Sequence, residues 1–133
     1  MRLVLDTNVL IAAFIAKGIC ADLLEHCIRR HTVVTSDFIP SEFRETMLGK
    51  FKFTGEETED ALKLLVPRMV AVEPASLESP VCRDADDDLI LATALAGQCD
   101  CIVTGDKDLL VLERYRMIEI VSPLDFSEYE VRS

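Results

Sequence analysis

The sequence contains no apolar run as long as the roughly 18 residues that a membrane-spanning helix requires. The apolar stretch at its start is interrupted by an acid, Asp6, after five residues, which is not the pattern of a secretory signal peptide. We therefore expect a cytoplasmic protein with no membrane partner. Internal repeats, low-complexity tracts and linkers are also missing, so we expect one domain spanning residues 1–133.

Sulfur and imidazole ligands are too few and too scattered along the chain to suggest a site for a soft metal. The cysteines are odd in number, and none stands in a CxxC pair. This argues against a disulfide framework and a zinc site, and it favours free thiols in a reducing cell. The two histidines, His26 and His31, lie away from the acidic motifs, and we expect both on the surface. The five cysteines are Cys20, Cys27, Cys82, Cys99 and Cys101.

Positive charge is scarce, with 14 Lys and Arg residues against 24 Asp and Glu residues, and the formal net charge is −10. Nucleic-acid-binding proteins are usually basic, so this balance weighs against binding of nucleic acid by overall electrostatic attraction alone. It favours instead a basic partner, or a site that collects carboxylates in order to hold metal cations. The two possibilities are compatible with each other.

Half of the residues are hydrophobic, which is enough to fill a sizeable core. Strand-like apolar runs alternate with helical patterns, and this alternation is typical of an α/β fold with a parallel sheet. We therefore predict a central parallel sheet of about five strands flanked by helices, with the tail from about residue 122 unassigned. The predicted strands are 3–5, 32–35, 69–72, 101–104 and 117–121, and the predicted helices are 8–14, 19–30, 40–51, 56–66 and 86–96.

Acidic residues follow the ends of several predicted elements. Asp6 follows the first strand, Asp106 follows the fourth, and Glu42 lies in the first turn of the helix after the second strand. A run of aspartates between Asp84 and Asp88 marks the start of another helix. Ligands of open parallel sheets bind beyond the carboxyl ends of the strands. We therefore expect these acids to gather at one edge of the sheet.

Taken singly, most of these acids have an ordinary explanation, because aspartate caps helix N-termini and complements the helix dipole. Asp6 is harder to explain in this way, since it ends a buried strand. Clustered carboxylates also repel one another and raise one another's pKa, and a bound cation would relieve this repulsion. Oxygen ligands without a matching set of His or Cys point to Mg²⁺ or Mn²⁺.

Asp87 and Asp88 compete for one place in this site. Neighbouring positions on a helix are rotated by about 100°, so both cannot face one ion equally well. Asp87 precedes Ile90 and Leu91 by three and four residues and therefore heads the buried stripe of its helix. We choose Asp87 as the ligand and keep Asp88 as the alternative, or as a ligand of a second ion or of a bound water.

Four stretches together resemble the motifs of PIN-domain nucleases. They are VLDTNVLIAAF, PSEFRE, RDADDDLILATALA and CIVTGDKDLL, and the resemblance covers about residues 1–125. It is closest to small single-domain proteins similar to the VapC toxins of toxin–antitoxin pairs. The resemblance implies a three-layer Rossmann-like PIN fold, metal-dependent hydrolysis of RNA, an antitoxin partner and a homodimer. In such sites carboxylate-held ions lower the pKa of a bound water, which becomes the nucleophile, so no side chain needs to attack.

Carried over residue by residue, the resemblance implies an acidic catalytic and metal-binding set formed by Asp6, Glu42, Asp87 and Asp106, with Asp88 in reserve. Asn8 and Thr104 would be its polar supporters. Arg44, Lys50, Lys52 and Lys107 are our candidates for contacts with RNA, although solvated surface explains them equally well.

Competing functions require residues that this chain does not place correctly. A haloacid-dehalogenase-like phosphatase needs a second acid two residues after the first, and that position is Asn8. A receiver-like pocket needs paired acids after the first strand and a lysine after the last. A non-catalytic PIN module that only binds RNA or protein would lack one acid, yet all four positions are filled. We therefore predict an active ribonuclease and keep the binding module as the alternative.

Overall fold

The first strand, β1 (Arg2–Leu5), lies inside the sheet of the computed structural model, in which residues 1–16 and 18–133 are described. Its last three residues are buried because neighbouring strands cover both edges and helices flank the sheet. A strand that is buried on both faces needs a continuous apolar run, and Leu3–Leu5 supplies one. The position of β1 therefore follows directly from its composition.

The remaining elements alternate in the order expected of an α/β protein. They are α1 (Thr7–Ile15), α2 (Ile19–Arg30), β2 (Thr32–Thr35), α3 (Phe38–Gly49), α4 (Gly55–Leu65), a 3₁₀ turn (Val66–Arg68), β3 (Val70–Ala71), α5 (Ala85–Ala96), β4 (Cys101–Val103), α6 (Lys107–Leu110), β5 (Arg114–Tyr115), β6 (Ile118–Val121) and α7 (Phe126–Arg132).

The strands of the described residues form one sheet in the order β3-β2-β1-β4-β6-β5. All neighbours are parallel except β5 and β6, which form an antiparallel pair at one edge. Val4 of β1 is aligned with Val34 of β2 on one side and with Ile102 of β4 on the other. The chain thus leaves β1 towards β2 and returns on its other side at β4. A crevice opens at such a switch point, beyond the carboxyl ends of the two strands.

The predicted α/β fold is confirmed, and several details of the prediction are corrected. The sheet has a sixth strand, β5, which is antiparallel and only two residues long. The helices α6 and α7 were not predicted, because four and seven residues are too short to show a clear periodicity. Helix α3 begins at Phe38, two residues before the predicted start, so Glu42 lies in its second turn rather than its first.

The thiols are free, as predicted, whereas the expectation for the histidines is wrong for one of the two. All five cysteines are unpaired, and burial raises the pKa of Cys27, Cys82 and Cys99 to about 12. The His26 side chain is 43% exposed, but that of His31 is only 11% exposed, because the C-terminal helix α7 covers it. No pattern in the unassigned tail indicated that it would pack there.

Among the described residues, no single helix has the length and the apolar character needed to cross a membrane. Helices α1 and α2 meet that requirement only when they are counted together, across a bend of 114°.

Gly97, which follows α5, is required by close packing against the sheet. A Cβ atom at this position would lie 2.5 Å from Val34 Cγ1 and 3.1 Å from Cys99 Sγ. We expect Gly97→Ala to destabilise the protein by about 1–3 kcal/mol, because the added methyl group forces a buried neighbour to move. Unfolding in urea, followed by circular dichroism, would measure this change.

Gly49, at the end of α3, provides the matched control. A Cβ atom there meets nothing within 4 Å, so Gly49→Ala should be neutral or stabilising by up to about 1 kcal/mol. Equal stability of the two variants would contradict the packing argument for Gly97.

Candidate metal centre

A cleft of about 190 Å³ opens beyond the carboxyl ends of β1 and β4, at the switch point of the sheet. Its walls come from the start of α1, the second turn of α3, the start of α5 and the segment after β4. The fold therefore brings together acids that are far apart in sequence. Those lining the cleft are Asp6, Glu42, Asp84, Asp86, Asp87 and Asp106.

Asp6 is held in place by two hydrogen bonds to its side chain. The backbone N–H of Thr7 donates to Asp6 Oδ1 at 2.7 Å, and the Thr104 hydroxyl donates to Asp6 Oδ2 at 2.6 Å. Asp6 also caps the N-terminus of α1. Burial raises the pKa of Asp6, while the hydrogen bonds from Thr104 and Thr7 partly offset this effect. The carboxylate is thus fixed at the floor of the cleft.

Thr104 joins the ends of the two central strands. Its hydroxyl, which donates to Asp6, also accepts a hydrogen bond from the backbone N–H of Asp106 at 3.0 Å. In the first turn of α1, which follows β1, Asn8 Oδ1 accepts a longer hydrogen bond from the backbone N–H of Gly105, at 3.4 Å. Both predicted supporting residues therefore link α1 to the segment that carries Asp106.

Glu42 reaches the cleft from α3 and lies next to a buried hydroxyl group. Burial raises the pKa of Glu42, the nearby Thr7 hydroxyl partly lowers it, and the negative charge of Asp6 raises it again. Thr7 Oγ1 is itself buried, and among the described residues it has no hydrogen-bond partner of normal geometry. A buried oxygen of this kind, beside several carboxylates, suits a site that receives a cation or its water.

Asp87 is 8% exposed, and its pKa is raised to about 7 by burial first and then by the neighbouring charge of Asp106. Asp87, Asp106 and Asp108 each offer a carboxylate oxygen, and these three oxygens all lie within 4.8 Å of one another. Asp108 was missed in the sequence, although its spacing of two residues from Asp106 could have drawn attention to it. It also forms an ion pair with Arg83 at 2.8 Å.

Asp88, the alternative ligand, does not line the cleft. Its carboxylate accepts hydrogen bonds from the backbone N–H groups of Val81, at 3.1 Å, and Cys82, at 2.8 Å. The rotation of about 100° between neighbouring helix positions turns it towards the loop before α5. The structure thus places the Asp88 carboxylate outside the cleft, where it holds this loop.

Asp84 and Asp86, explained from the sequence as helix caps, stand at the mouth of the cleft. Asp84 is indeed the N-cap of α5, where its side chain accepts a hydrogen bond from the backbone N–H of Asp86 at 2.9 Å. Both also line the cleft, so they add negative charge at its entrance.

The four basic residues singled out in the sequence have different surroundings. Lys50 lines a groove next to the cleft together with Glu42, and Lys107 is exposed directly after Asp106. Arg44 is turned towards α4, where its guanidinium is paired with Glu59 at 2.7 Å. Lys52 is exposed and lines neither the cleft nor this groove.

A model of the PIN domain matches residues 2–108, which is most of the chain and includes every acid of the cleft. The chain belongs to the PIN-domain family. Among proteins of curated function, no sequence matches it significantly.

Three solved structures have the same fold as this PIN domain, at identities too low to show more than the fold. VapBC2 from Rickettsia felis, bound to a DNA fragment from its promoter, is 18% identical with a TM-score of 0.65, covering 92% of this chain and 98% of that one. VapBC-1 from nontypeable Haemophilus influenzae is 18% identical with a TM-score of 0.63, covering 93% and 99%. FitAB bound to an IR36 DNA fragment is 16% identical with a TM-score of 0.57, covering 91% and 94%.

The raised pKa of Asp87 predicts how the stability of the metal-free protein depends on pH. Native Asp87 keeps its proton up to about pH 7, whereas the unfolded state releases it near 3.8. The contribution of Asp87 to stability is therefore complete below the lower value and is lost as the pH rises through the higher one. We expect Asp87→Asn to stabilise the protein by roughly 2 kcal/mol above pH 7 and to have little effect near pH 4.

Urea unfolding in EDTA at the two pH values would measure this difference. Asp88→Asn is the matched control, and it should not stabilise the protein at either pH, because it weakens hydrogen bonds to Val81 and Cys82. Equal destabilisation by Asp87→Asn at both pH values would contradict the prediction.

Proposed function

We propose that this PIN domain is a divalent-metal-dependent endoribonuclease that hydrolyses phosphodiester bonds of RNA and acts as the toxin of a toxin–antitoxin pair. The observation that carries the proposal is the meeting of Asp6, Glu42, Asp87 and Asp106, from four separate elements, in one cleft. A structural explanation for so many neighbouring carboxylates is weak, because their repulsion costs stability.

The donors of the cleft fit Mg²⁺ or Mn²⁺. They are carboxylates together with hydroxyl and amide oxygens, which are hard ligands, and among the described residues of the cleft there is no imidazole or thiol. In our proposal Asp6, Asp87 and Asp106 hold the ion and Glu42 completes the site. Such an ion supplies Lewis acidity and an activated water for attack on phosphorus.

The chain's own residues have defined tasks in this proposal. Thr104 keeps Asp6 and the backbone of Asp106 at a fixed separation through its two hydrogen bonds. Asn8 holds the loop at Gly105, so that the segment after β4 does not move away from α1. Fixed ligands of this kind stabilise charge in the transition state without reorganising during the reaction.

Of the four predicted basic residues, Lys50 and Lys107 are the best situated to contact RNA phosphates near the cleft. Arg44 would have to leave Glu59 to do so. The net charge of −10 makes an unaided grip on RNA weak and favours a basic partner. The structural likeness to VapBC complexes supports an antitoxin as that partner.

Cleavage of single-stranded RNA by the purified protein should require Mg²⁺ or Mn²⁺ and stop in EDTA. Asp6→Asn and Asp87→Asn should each reduce the rate by at least about 100-fold, because each removes a charge that the transition state needs. A labelled RNA resolved on a denaturing gel would measure the rates.

Asp88→Asn is the control, since it makes the same chemical change one residue further along α5 but outside the cleft, and it should keep most of the activity. Cleavage that persists in EDTA or in Asp6→Asn would show that the activity does not come from this cleft. A folded protein without activity under any of these conditions would favour the non-catalytic binding module.

We also propose a homodimer, in which two chains pool their few basic residues beside the clefts. Light scattering at micromolar concentration should then give twice the 14.9 kDa mass of one chain. A mass equal to that of one chain would contradict this proposal and leave the cleavage experiment unaffected.

A further inference from the structure

A second group of side chains with the chemistry of metal ligands lies at the opposite end of the strands from the acidic cleft. It consists of His26 on α2, His31 between α2 and β2, and Glu130 on α7. His31 immediately precedes β2, so the group lies at the amino ends of the strands, whereas the cleft lies beyond their carboxyl ends. The two sites share no residue and can be tested separately.

The three side chains converge on one point. His26 Nε2 lies 2.7 Å from Glu130 Oε2, and His31 Nε2 contacts the same oxygen. The three ligand atoms all lie within 4.8 Å of one another. Two ring nitrogens directed at one carboxylate oxygen, instead of one at each oxygen, resemble ligands arranged around a common centre more than two independent ion pairs.

The surroundings hold the two rings in this arrangement. The rings of His26 and His31 pack edge to face with centroids 5.6 Å apart, and His31 packs in the same way on buried Phe126, at 6.0 Å. The main-chain nitrogen of Met1 lies 3.0 Å from His31 Nδ1, which leaves Nε2 facing Glu130. Because this main-chain nitrogen is a donor, Nδ1 accepts its hydrogen bond and Nε2 carries the ring proton in the metal-free protein. Binding of a metal ion at Nε2 therefore releases a proton.

The cluster is also open to solvent on one side. The side chains of His26 and Glu130 are 43% and 27% exposed, and both line a surface cleft of about 400 Å³ between α2 and the segment around Leu124. An ion could enter from this cleft, and water could complete its coordination.

We propose that His26, His31 and Glu130 form a Zn²⁺ site that fastens the C-terminal helix α7 to α2. Two imidazole nitrogens and one carboxylate oxygen suit Zn²⁺ and are poor ligands for Mg²⁺. In the metal-free protein the same groups make hydrogen bonds to one another. Binding of Zn²⁺ replaces these with coordination bonds between helices that are about 100 residues apart in sequence, and it therefore stabilises the folded state.

The experiment titrates Zn²⁺ alone into untagged, metal-free, full-length protein in excess Mg²⁺, which occupies sites made only of oxygens. Calorimetry should show one equivalent bound and a rise in melting temperature. His26→Gln and Glu130→Gln should both lose this equivalent and this rise. Glu128→Gln, the same change at an exposed position of the same helix, should keep both.

Nuclear magnetic resonance on the unmodified protein tests the site without any substitution. The chain has only two histidines, so both imidazole signals should shift with one equivalent of Zn²⁺. Co²⁺ in place of Zn²⁺ should give the visible spectrum of a nitrogen and oxygen site without a thiolate charge-transfer band. Unshifted imidazole signals, a thiolate band, or undiminished binding in Glu130→Gln would each overturn the proposal.

Discussion

The cleft depends on the hydrogen bond from the Thr104 hydroxyl to Asp6, which connects the two central strands of the sheet. This bond bridges 98 residues of sequence and joins the end of β1 to the end of β4 at the switch point of the sheet. Burial disfavours the ionised form of Asp6, and this hydrogen bond works in the opposite direction. Without it, the buried carboxylate would have only the N–H of Thr7 to offset the loss of hydration. The acids contributed by α3 and α5 then gather around a point that is already fixed.

Those parts of the fold and cleft that depend on local chemistry could be predicted from the sequence. The apolar run at Leu3–Leu5 predicted a buried strand, and the acid directly after it had to stand at the sheet edge. The periodicity of α5 separated Asp87 from Asp88, because only one of them could point over the sheet. The placements of Asp6, Glu42, Asp87 and Asp106 in one cleft agree with that reasoning, while their chemical roles stay predictions.

The parts that could not be predicted depend on contacts between distant segments. The two-residue strand β5 is defined only by its pairing with β6. The start of α3 at Phe38 was not predicted, because proline favours the first position of a helix and Pro40 therefore indicated a start at residue 40. The group formed by His26, His31 and Glu130 could not be predicted, since Glu130 lies 99 residues from His31 in a tail without a clear pattern. Asp108 was not predicted, because Asp106 already accounted for the acidic position of the motif CIVTGDKDLL.

The strand order also affects when the cleft can come into existence. A growing chain exposes Asp6, Glu42 and Asp87 well before Asp106, but β1 lacks its neighbour β4 until residues 101–103 are available. Contacts between distant segments form late, because loop closure must be completed before they contribute stability. A partly synthesised chain therefore carries three of the four acids without the cleft that unites them. Whatever chemistry this cleft performs begins only after residues 101–106 have been made.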